Sequence, residues 1–427
     1  MTPADLSRTV LHAVRRAVDE EALHAPVPAH VRVERTRPGG SGDYACAVAL
    51  QLAGPAALPA LEVARILRDR VAAEPGVGRV EITGPGFLSF TLAAPAEGDR
   101  AVLAAVREQG PAYGHGDALR GEAPHLRHGR EVRAAVTADA VRRLIAAQGA
   151  RVRVSSPEPP DPDWPRLGVA LDAPPAPVPA RTADAPPAPD PAGPLGDEAH
   201  TGRGPHRPDR PGAGGRGPHP RRPVPATEIR PVPAGATAGE LLERLGPDAA
   251  RWGLLRAAGH DRAALGPELL VQGEANPFFL VRYAHARARA LTRGAALLGF
   301  TSEAAGPAAH GRGAGPAVRN RDAGSAAAEA AAHLVHDAAA RPLLDLIADH
   351  PGVLLTGARH RAPDRVARQL EAVAHAFFDF HDSCPPLPAG DEKPSAAHRA
   401  RLALAEAAGT VLAGGLSLLG IRAPEHL

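Results

Sequence analysis

The sequence predicts a multidomain chain: a small α+β domain at the N-terminus, a long disordered Pro- and Arg-rich linker, and an all-α helical bundle at the C-terminus. Alternating apolar and polar residues on either side of a Gly-Pro-Gly turn indicate a β-hairpin within the first 112 residues. Of the 47 prolines, 23 lie in residues 151–240, and such a composition favours disorder. After residue 236 apolar residues recur at helical spacing, which is typical of packed helices.

The N-terminal domain is predicted to span residues 1–112. Apolar residues at helical spacing mark an amphipathic helix, and they are Leu61, Ala64, Leu67 and Val71. In the hairpin that follows, Val80 and Ile82 alternate with polar residues, and Gly84-Pro85-Gly86 supplies the turn. A closing helix is expected over Asp99–Gln109, with Asp99 as its N-cap.

The middle of the chain divides into residues 113–154 and residues 155–235. Apolar spacing and the final Gly149 indicate a helix over Val132–Gln148. Residues 155–235 cannot bury enough apolar surface to offset chain entropy, so they are predicted to be a disordered linker. Within it, Thr201–Arg222 carries six arginines against one aspartate. It is interpreted either as a source of sequence-independent affinity for a phosphate backbone or as a soluble tether.

The C-terminal bundle is predicted to span residues 236–427. Its first segment indicates two short helices that break at Gly246-Pro247, with Asp248 as the N-cap of the second. A Gly/Ala loop is expected at about residues 301–325, and further helices are expected near residues 326–349, 363–383 and 395–419. The last helix carries an apolar stripe at 4-3-4-3 spacing, formed by Leu404, Ala408, Val411, Gly415 and Leu418.

The stretch Asn276–Leu291 predicts a well-started helix, because Asn276 is a good N-cap and Pro277 occupies the first helical position. One face is expected to be an apolar stripe made by Phe279, Tyr283, Ala286 and Ala290. A neighbouring face is basic and carries Arg282, His285, Arg289 and Arg293. From the pattern alone, this basic face is either solvated or a contact for RNA.

Charge and cysteine content exclude several classes of protein. The formal net charge is +2, and Lys393 is the one lysine, so the basic character is local and made by arginine. Cys46 and Cys384 lie in different predicted domains, which argues against a disulfide framework or a zinc site and favours a cytoplasmic location. No stretch approaches a membrane span, and the linker histidines lack metal-ligand spacing, so neither a membrane nor a metal is expected.

Three segments of the C-terminal half resemble the DALR anticodon-binding domain of arginyl-tRNA synthetase. They are NPFFLVRYAHAR at 276–287, HAFFDFHDSCP at 375–385 and RLALAEAAGTVLAGGLSLLGIRAPEHL at 401–427, which ends on the family's terminal motif. The resemblance implies that these segments approach the anticodon stem-loop of a tRNA, with arginine isoacceptors as the expected partner. The residues that it assigns to this contact are Arg282, Tyr283, His285, Arg289, Phe380 and His381. An exposed Tyr283 would be able to stack on a base.

Segments of the N-terminal half resemble the additional domain at the start of the same synthetase. They are GDYACAVALQLA at 42–53, GPGFLSF at 84–90 and YGHGD at 113–117. This resemblance implies a domain that docks on the elbow of the tRNA, with Phe87 and Ser89 as its contacts. Phe87 keeps the aromatic residue of the family pattern, whereas Ser89 stands where the family usually has Asn. The resemblance therefore implies docking on the elbow, and it leaves base-specific contact at the D-loop open.

The nucleotide-binding signatures of the synthetase are degenerate in this chain. The first signature, H-x-G-H, corresponds to His128-Gly129-Arg130-Glu131 in one register and to His125-Leu126-Arg127-His128 in another, and both lack the glycine. Backbone amides at a helix N-terminus must come close to the ATP phosphates, and a bulky residue in place of the glycine obstructs that approach. The position of the second signature holds Thr227–Arg230, without a lysine. His125 and His128 are therefore interpreted as vestigial, and no residue is assigned a catalytic role.

Residues 113–154 are accordingly interpreted as a remnant of the start of the catalytic Rossmann domain, the rest of which is largely missing. The leading hypothesis is a tRNA-binding paralogue of arginyl-tRNA synthetase that does not aminoacylate its tRNA. The first alternative is an arginine–tRNA ligase with degenerate ATP signatures, and only then would ATP be required. The second alternative is a protein-interaction module that has lost RNA binding.

Overall fold

The computed structural model describes residues 3–36, 41–74, 76–92, 95–169, 226–302 and 339–427. Its helices are α1 (Pro3–Asp19), α2 (Val48–Ala56), α3 (Ala60–Ala72), α4 (Pro95–Gln109), α5 (Val132–Ala146), α6 (Ala238–Arg256), α7 (Pro277–Leu297), α8 (Ala340–His360), α9 (Pro363–Ser383) and α10 (Ala396–Leu418). Its strands are β1 (Val33–Arg35), β2 (Tyr44–Cys46), β3 (Val77–Thr83), β4 (Phe87–Leu92), β5 (His125–Arg127), β6 (Arg153–Ser155) and β7 (Thr227–Glu228).

The N-terminal unit is an antiparallel sheet in the order β1-β2-β4-β3, whose apolar residues share one core with α1, α2 and α3. The predicted hairpin is confirmed, because β3 pairs with β4 and Val80 lies opposite Phe90. The amphipathic helix is confirmed as α3, although Leu61 is exposed and was wrongly placed on its buried stripe. Gly42 has a φ of +76°, and a Cβ there would lie 2.7 Å from the carbonyl oxygen of Phe90, so the close approach to β4 requires glycine.

Helix α4 corrects the predicted end of this domain. It begins at Pro95, so Asp99 lies inside the helix rather than at its N-cap. The Asp99 carboxylate is largely buried and accepts from the Arg341 guanidinium of α8, with N–O distances of 2.9 and 3.1 Å. The helix packs against α8 and α10, and Val102 belongs to the core of the C-terminal half. In packing terms, the N-terminal unit therefore ends before α4 and not at residue 112.

A second sheet lies in the middle of the chain. It has three parallel strands in the order β6-β5-β7, and β7 comes from beyond the predicted segment 113–154. The predicted helix is confirmed as α5, which ends two residues earlier than expected. Every residue of α5 from Val132 to Val141 is buried, because the helix contacts α6, α8 and α9 as well as β5 and β6. This small sheet and the helical bundle therefore share one hydrophobic core.

The two ends of the predicted linker are ordered, so the boundaries at residues 155 and 235 are wrong. Ser155 closes β6, and Trp164 and Leu167 of a short 3₁₀ helix are each 1% exposed. At the other end β7 pairs with β5, and Ile229 is buried. Large apolar side chains that reach the shared core explain this order. The rest of the predicted linker, residues 170–225, lies outside the described residues, as does the Arg-rich stretch Thr201–Arg222.

The C-terminal bundle follows the predicted helix order. Helix α6 is broken at Gly246, whose φ of 71° and ψ of 172° are not helical, so the predicted break is confirmed. The apolar stripe of α10 is confirmed, because all five of its predicted residues are buried. Of the helix expected near residues 326–349, only the part from residue 340 onward is found as α8, which runs on to His360; residues 326–338 lie outside the described residues. Residues 303–338 lie outside the described residues.

A buried ion pair joins the small sheet to the bundle. The Arg251 guanidinium of α6 donates to Asp139 of α5 at 2.8 Å, to the carbonyl oxygen of Leu167 at 2.7 Å and to that of Leu419 at 2.8 Å. The two charged side chains are 1% and 0% exposed. Burial alone would raise the pKa of the Asp139 carboxyl, but three surrounding arginines outweigh it and hold the pKa below its ordinary value.

Two properties concern only the residues that the structure describes. No single helix there is both long enough and apolar enough to span a membrane. Helices α2 and α3, which are bent by 120° relative to each other, together reach that length and composition. Within the same ranges, no group of three or more His, Cys, Asp or Glu side chains is close enough to hold a metal ion. The expected absence of a metal stays a prediction.

Replacing Asp139 by Ala is expected to lower the free energy of unfolding by about 3–5 kcal/mol, because Arg251 would remain buried without its counter-charge. The matched control is Asp117→Ala, which removes an exposed pair with Arg120 and should cost about 0–1 kcal/mol. Urea unfolding at neutral pH measures both changes. The folded pKa of Asp139 is lowered, so its stabilisation is complete above its unfolded pKa and is lost as the pH falls through the folded value. The difference in unfolding free energy between wild type and D139A should therefore become smaller in acid. If D139A and D117A lower the unfolding free energy equally at neutral pH, Asp139 is not the buried counter-charge of Arg251.

Candidate nucleic-acid interface

Helix α7 begins as the sequence predicts. The Asn276 side chain accepts from the backbone N–H of Phe278 at 3.0 Å and donates to the carbonyl oxygens of Leu269 and Val271 at 3.0 and 2.7 Å. Asn276 is therefore a buried cap that ties the start of α7 to the preceding 3₁₀ turn. The predicted N-cap is confirmed, and it fixes the position of the side chains that follow.

The predicted apolar stripe of α7 is wrong in its position. The helix packs between α9 and α10, so its buried arc is wider than one stripe. The buried residues are Phe278, Leu280, Val281, Ala284, His285, Ala286, Ala288, Leu291 and Ala295. Of the four residues predicted for the apolar stripe, Ala286 is buried, Phe279 and Ala290 are partly buried, and Tyr283 is exposed.

His285 is a packing residue and not an RNA contact. It is 5% exposed, and its Nδ1 lies 3.0 Å from the carbonyl oxygen of Gly409 in α10, to which it donates. Burial lowers the pKa of His285, so the neutral imidazole is the stable form in the folded chain. A Cβ at Gly409 would lie 2.8 Å from the Cβ of Ala288, so α7 and α10 approach closely beside this hydrogen bond.

Two arginines of the predicted basic face hold the end of the chain. Arg289 donates to the Glu425 carboxylate at 3.1 Å, and Arg293 lies 3.5 Å from the Glu425 carbonyl oxygen and 3.4 Å from His426 Nδ1. Both arginines nevertheless remain exposed to solvent. A substitution of Arg289 would therefore release the tail as well as remove a positive charge.

Arg282 differs from these two arginines. Its guanidinium lies 5.1 Å from the centre of the Phe278 ring, and burial lowers its pKa. Among the described residues, no hydrogen-bond acceptor or carboxylate pairs with this guanidinium, and its Nε is buried without a partner. The sequence assigned Arg282 to RNA contact, and the structure leaves its donors available.

Three aromatic rings stack in a column on the other edge of α7, here called the aromatic column. Phe279 and Tyr283 have ring centroids 5.4 Å apart at an interplanar angle of 11°, and Tyr283 and Phe378 of α9 are 5.3 Å apart at 19°. Tyr283 is 41% exposed, so the middle ring of the column is open to solvent. The family resemblance points to Tyr283 but not to Phe378, because the alignment of two rings from different helices depends on how those helices pack.

Phe380 and His381 were predicted as neighbouring contacts, and the structure separates them. Phe380 is fully buried on the inner face of α9, so its assignment to RNA is wrong. His381 is partly exposed, and its Nε2 lies 3.3 and 3.4 Å from two nitrogens of the Arg287 guanidinium. Arg287 is exposed and lies one turn after Tyr283, and this i, i+4 spacing is the sequence signal that could have identified it.

The N-terminal candidates also differ in exposure. Phe87 begins β4 directly after the turn and is 37% exposed, so it is open to a partner. Ser89 is 3% exposed, and its Oγ lies 3.0 Å from the Oγ1 of Thr83 on β3. Its hydroxyl is used inside the sheet, and the assignment of Ser89 as a contact is therefore wrong.

A pocket of about 450 Å³ lies at the carboxyl ends of the three parallel strands and is here called the strand-end pocket. His128 lines it but is 3% exposed, and its ring packs against Trp164 with centroids 5.4 Å apart. Burial lowers the pKa of His128, and its Nδ1 donates to the carbonyl oxygen of Gly129. His125 lies away from this pocket lining, with its Nε2 2.8 Å from Ser155 Oγ. The structure thus does not bring the two histidines together around one ligand space.

The N-terminus of α5 is closed by a carboxylate of the chain itself. Glu131 is the N-cap, and its Oε2 accepts from the backbone N–H of Ala134 at 2.7 Å. Its Oε1 accepts from the backbone N–H of Ala234 at 2.9 Å. A negative group therefore already occupies the positive end of this helix, next to the strand-end pocket.

Two family profiles match separate parts of the chain. The DALR anticodon binding domain matches residues 281–427, and the arginyl tRNA synthetase N terminal domain matches residues 5–92. The first range contains most of α7 and all of α8, α9 and α10, and the second contains the N-terminal sheet.

Two relatives align with this chain over its whole length. The chain is 28% identical over 579 aligned positions to the arginine–tRNA ligase of Frankia alni and 28% over 576 positions to that of Renibacterium salmoninarum, covering 100% of both partners in each case. It is 35% identical over 189 residues to the arginine–tRNA ligase of Pseudarthrobacter chlorophenolicus, which covers 44% of this chain and 30% of that protein.

Solved structures agree in fold. The Thermus thermophilus arginyl-tRNA synthetase superposes with a TM-score of 0.58 at 16% identity, covering 100% of both chains. The Plasmodium falciparum enzyme of the same name superposes with a TM-score of 0.53 at 7% identity, covering 100% of this chain and 99% of that one. At these identities the likeness establishes the fold alone.

His285→Ala is expected to lower the free energy of unfolding by about 2 kcal/mol, because a buried hydrogen bond and packed volume are lost together. His375→Ala, at an exposed histidine of α9, is the matched control and should change stability by less than about 0.5 kcal/mol. Chemical denaturation of the full chain measures both. A stability of H285A equal to that of the control would show that His285 is not part of the α7–α10 contact.

Proposed function

The chain belongs to the arginyl-tRNA synthetase family, and from that premise we propose that it binds tRNA of the arginine isoacceptors without aminoacylating it. The observation that carries the proposal is the aromatic column beside Arg287, which joins an open ring to a cation on one edge of α7. Unpaired bases of RNA loops are recognised mainly by stacking on aromatic side chains, and phosphates are recognised by arginine.

The position of the column supports an anticodon-side contact. Tyr283, Arg287 and Phe378 all lie within the residues that match the DALR anticodon binding domain. Tyr283 packs against Phe279 and Phe378 and is still 41% exposed, so the part of its ring that those two leave open is the surface proposed for a base. A ring fixed in this way loses little conformational entropy when a base is added to it.

A second contact is proposed at the N-terminal sheet. Phe87 lies within residues 5–92, which match the N-terminal domain of the family, and it is exposed at the turn between β3 and β4. The proposal assigns this ring to the elbow of the same tRNA. Contact at two separated places raises affinity through effective concentration, without any new interaction at either place.

The comparisons favour a second candidate, an arginine–tRNA ligase, over the non-catalytic protein. The two relatives aligned over their whole length are both named arginine–tRNA ligase. The strand-end pocket also lies beyond the carboxyl ends of the parallel strands and next to α5. Open α/β sheets hold their nucleotide ligands at this position. If the chain is such a ligase, it attaches arginine to the bound tRNA in an ATP-dependent reaction.

The geometry of this chain supports the non-catalytic protein, because the residues at the strand ends do not fit ATP. The Glu131 carboxylate occupies the amides at the start of α5, where a phosphate would need them, and would repel it. Arg230, the one cation at the position of the second signature, is paired with Glu228. The Frankia alignment runs over 579 positions against 427 residues here, so the relative has roughly 150 positions that this chain lacks.

Tyr283→Ala should weaken the binding of arginine tRNA about tenfold or more, since a stacked base contributes roughly 1–3 kcal/mol. Tyr283→Phe keeps the ring of the column and is the matched control, which should bind like the wild type. Arg287→Gln should make the salt dependence shallower by about one counterion. Filter binding at several salt concentrations, with circular dichroism to confirm folding, measures all three. Equal tRNA affinity of Y283A and Y283F would show that the aromatic column is not part of the interface. If the wild type binds no tRNA, the proposal is wrong and the protein-interaction module is favoured.

Purified chain, free of host synthetase, should show no arginine-dependent exchange between ATP and pyrophosphate, with or without tRNA. The expected reason is the closed N-terminus of α5 and the paired Arg230. The chain is a ligase instead if the purified wild type catalyses this exchange and if two variants abolish it. These variants are the double variant His125→Ala/His128→Ala and the exposed variant Arg230→Gln. The second variant guards against a misfolded double variant, because His128 is buried.

A further inference from the structure

We propose that the strand-end pocket binds a linear polyamine, an organic cation whose N–H donors are spaced along an apolar chain. The pocket has a volume of about 450 Å³, which falls within the range of about 300–1,000 Å³ that is typical of small-molecule sites. Because the Glu131 carboxylate caps the start of α5 beside this pocket, a phosphate is repelled and a ligand of opposite charge is favoured. The ligand is a small molecule other than tRNA, so the inference does not depend on the proposed tRNA binding.

Carboxylates outnumber guanidinium groups in the pocket. The lining carries three negative and two positive side chains, a formal charge of −1, and they are Glu131, Glu158, Glu228, Arg127 and Arg230. Arg230 pairs with Glu228, so these two charges offset each other. The Glu158 side chain is exposed, and no described residue donates to its carboxylate or forms an ion pair with it. This carboxylate is therefore available to an ammonium group from outside.

Several hydrogen-bond donors of the lining are already used, whereas acceptors remain. The backbone N–H groups of three lining residues donate within the chain, and they are those of His128, Ala134 and Ile229. Three prolines also line the pocket, and a proline has a carbonyl acceptor but no N–H. A ligand rich in N–H donors therefore suits this lining better than one rich in acceptors, such as a phosphate.

His128 supplies a further acceptor. A carbonyl oxygen can only accept, so the Nδ1 that lies 2.9 Å from the Gly129 oxygen carries the proton, and Nε2 is left as an acceptor. Burial lowers the pKa of His128, which keeps the ring neutral. In the described part of the chain, Nε2 has no hydrogen-bond partner. The ring is 3% exposed and lines the pocket, so an N–H of the ligand would satisfy a buried acceptor that is costly to leave unpaired.

The spread of the carboxylates favours an extended cation over a metal ion. Glu131 directly precedes α5, Glu158 follows β6 and Glu228 lies in β7, so the negative charges come from three segments of the chain. Among the described residues, no three His, Cys, Asp or Glu side chains are close enough to hold one metal ion. The apolar residues of the lining can pack against methylene groups, and they are Pro157, Ile229, Pro231 and Pro233.

Calorimetry on the full chain without tRNA tests the proposal, with spermidine, ATP and L-arginine as probes. Spermidine should bind the wild type at one site, and the other two should not bind. Glu158→Gln and Glu228→Gln should each weaken spermidine about tenfold, because each removes a charged acceptor. Glu243→Gln removes the same charge from the exposed face of α6, outside the pocket lining, and is the matched control that should leave the affinity unchanged.

Gly129→Lys tests the pocket from the opposite direction. A Cβ at Gly129 meets no neighbouring atom within 4 Å, so the side chain can be added without a clash at its base. Its ammonium group lies in the lining and should abolish spermidine binding by repulsion, while circular dichroism confirms folding. Wild-type spermidine affinity in G129K, or equal affinity in E158Q, E228Q and E243Q, would overturn the proposal.

Two further results separate this proposal from those on tRNA and ligase activity. Failure of spermidine to bind the wild type, or its displacement by ATP or arginine, would overturn the polyamine assignment, and displacement would favour the ligase. Filter binding of arginine tRNA is measured separately for the wild type and G129K. Retained tRNA binding without spermidine binding in the wild type would overturn only the polyamine proposal. Spermidine binding without tRNA binding in the wild type would support it and overturn only the proposed function.

Discussion

The buried contact between Arg251 and Asp139 is the interaction on which the C-terminal half of this protein depends. A single guanidinium joins α5, the short 3₁₀ helix through Leu167 and the terminal segment through Leu419. Gly420 accommodates it with a φ of +72°, and a Cβ there would lie 2.4 Å from an Arg251 nitrogen. Removing two charges from water is costly, so the pair specifies how these pieces meet more than it adds net stability.

That arrangement makes the small parallel sheet part of the bundle. Three short strands could not form an independent domain, because they expose too much apolar surface for their size. Here α5 is buried by the helices of the bundle, and Trp164 fills the space beside His128. The small sheet and α5 thus act as a structural support for the bundle, and the Glu131 carboxylate caps the N-terminus of α5.

Electrostatics at the candidate interface are more local than the arginine content suggests. Arg289 and Arg293 contact the tail, and Arg287 contacts His381. A basic stripe in sequence is therefore not a continuous positive surface in space. The exposed ring of Tyr283 and the unpaired Nε of Arg282 are therefore two separate features of α7, and the proposed RNA contact rests on the first of them.

The sequence predicted correctly those features that depend on residues close together in the chain. The hairpin, the Asn276 cap, the break at Gly246 and the stripe of α10 all follow from turn chemistry, capping or periodicity, and the structure confirms them. Packing against two neighbours was not visible in a single helix, which explains the wrong faces of α7. For the same reason the burial of His285, Phe380 and Ser89 was missed.

Order at the ends of the predicted linker was missed for a different reason. Strand β7 has only two residues, Thr227 and Glu228, and it exists because β5, about 100 residues earlier, offers a parallel partner. Its proline-rich surroundings match the composition of a disordered chain, and no local signal opposes that interpretation. Long-range pairing of this kind can be seen only once the sheet is assembled.

Arg133 has a consequence for the way in which the chain gains and loses structure. Its buried guanidinium donates to the carbonyl oxygens of Val232, Leu254, Ala257, Ala258 and Asp261. Five backbone acceptors from two separate segments are therefore satisfied by one side chain of α5. If α5 detaches, those carbonyls lose their partner in a site from which water was excluded, so the segments around Val232 and Asp261 form one cooperative unit with α5. Their resistance to transient opening is then set by a helix that lies about 100 residues earlier in the chain.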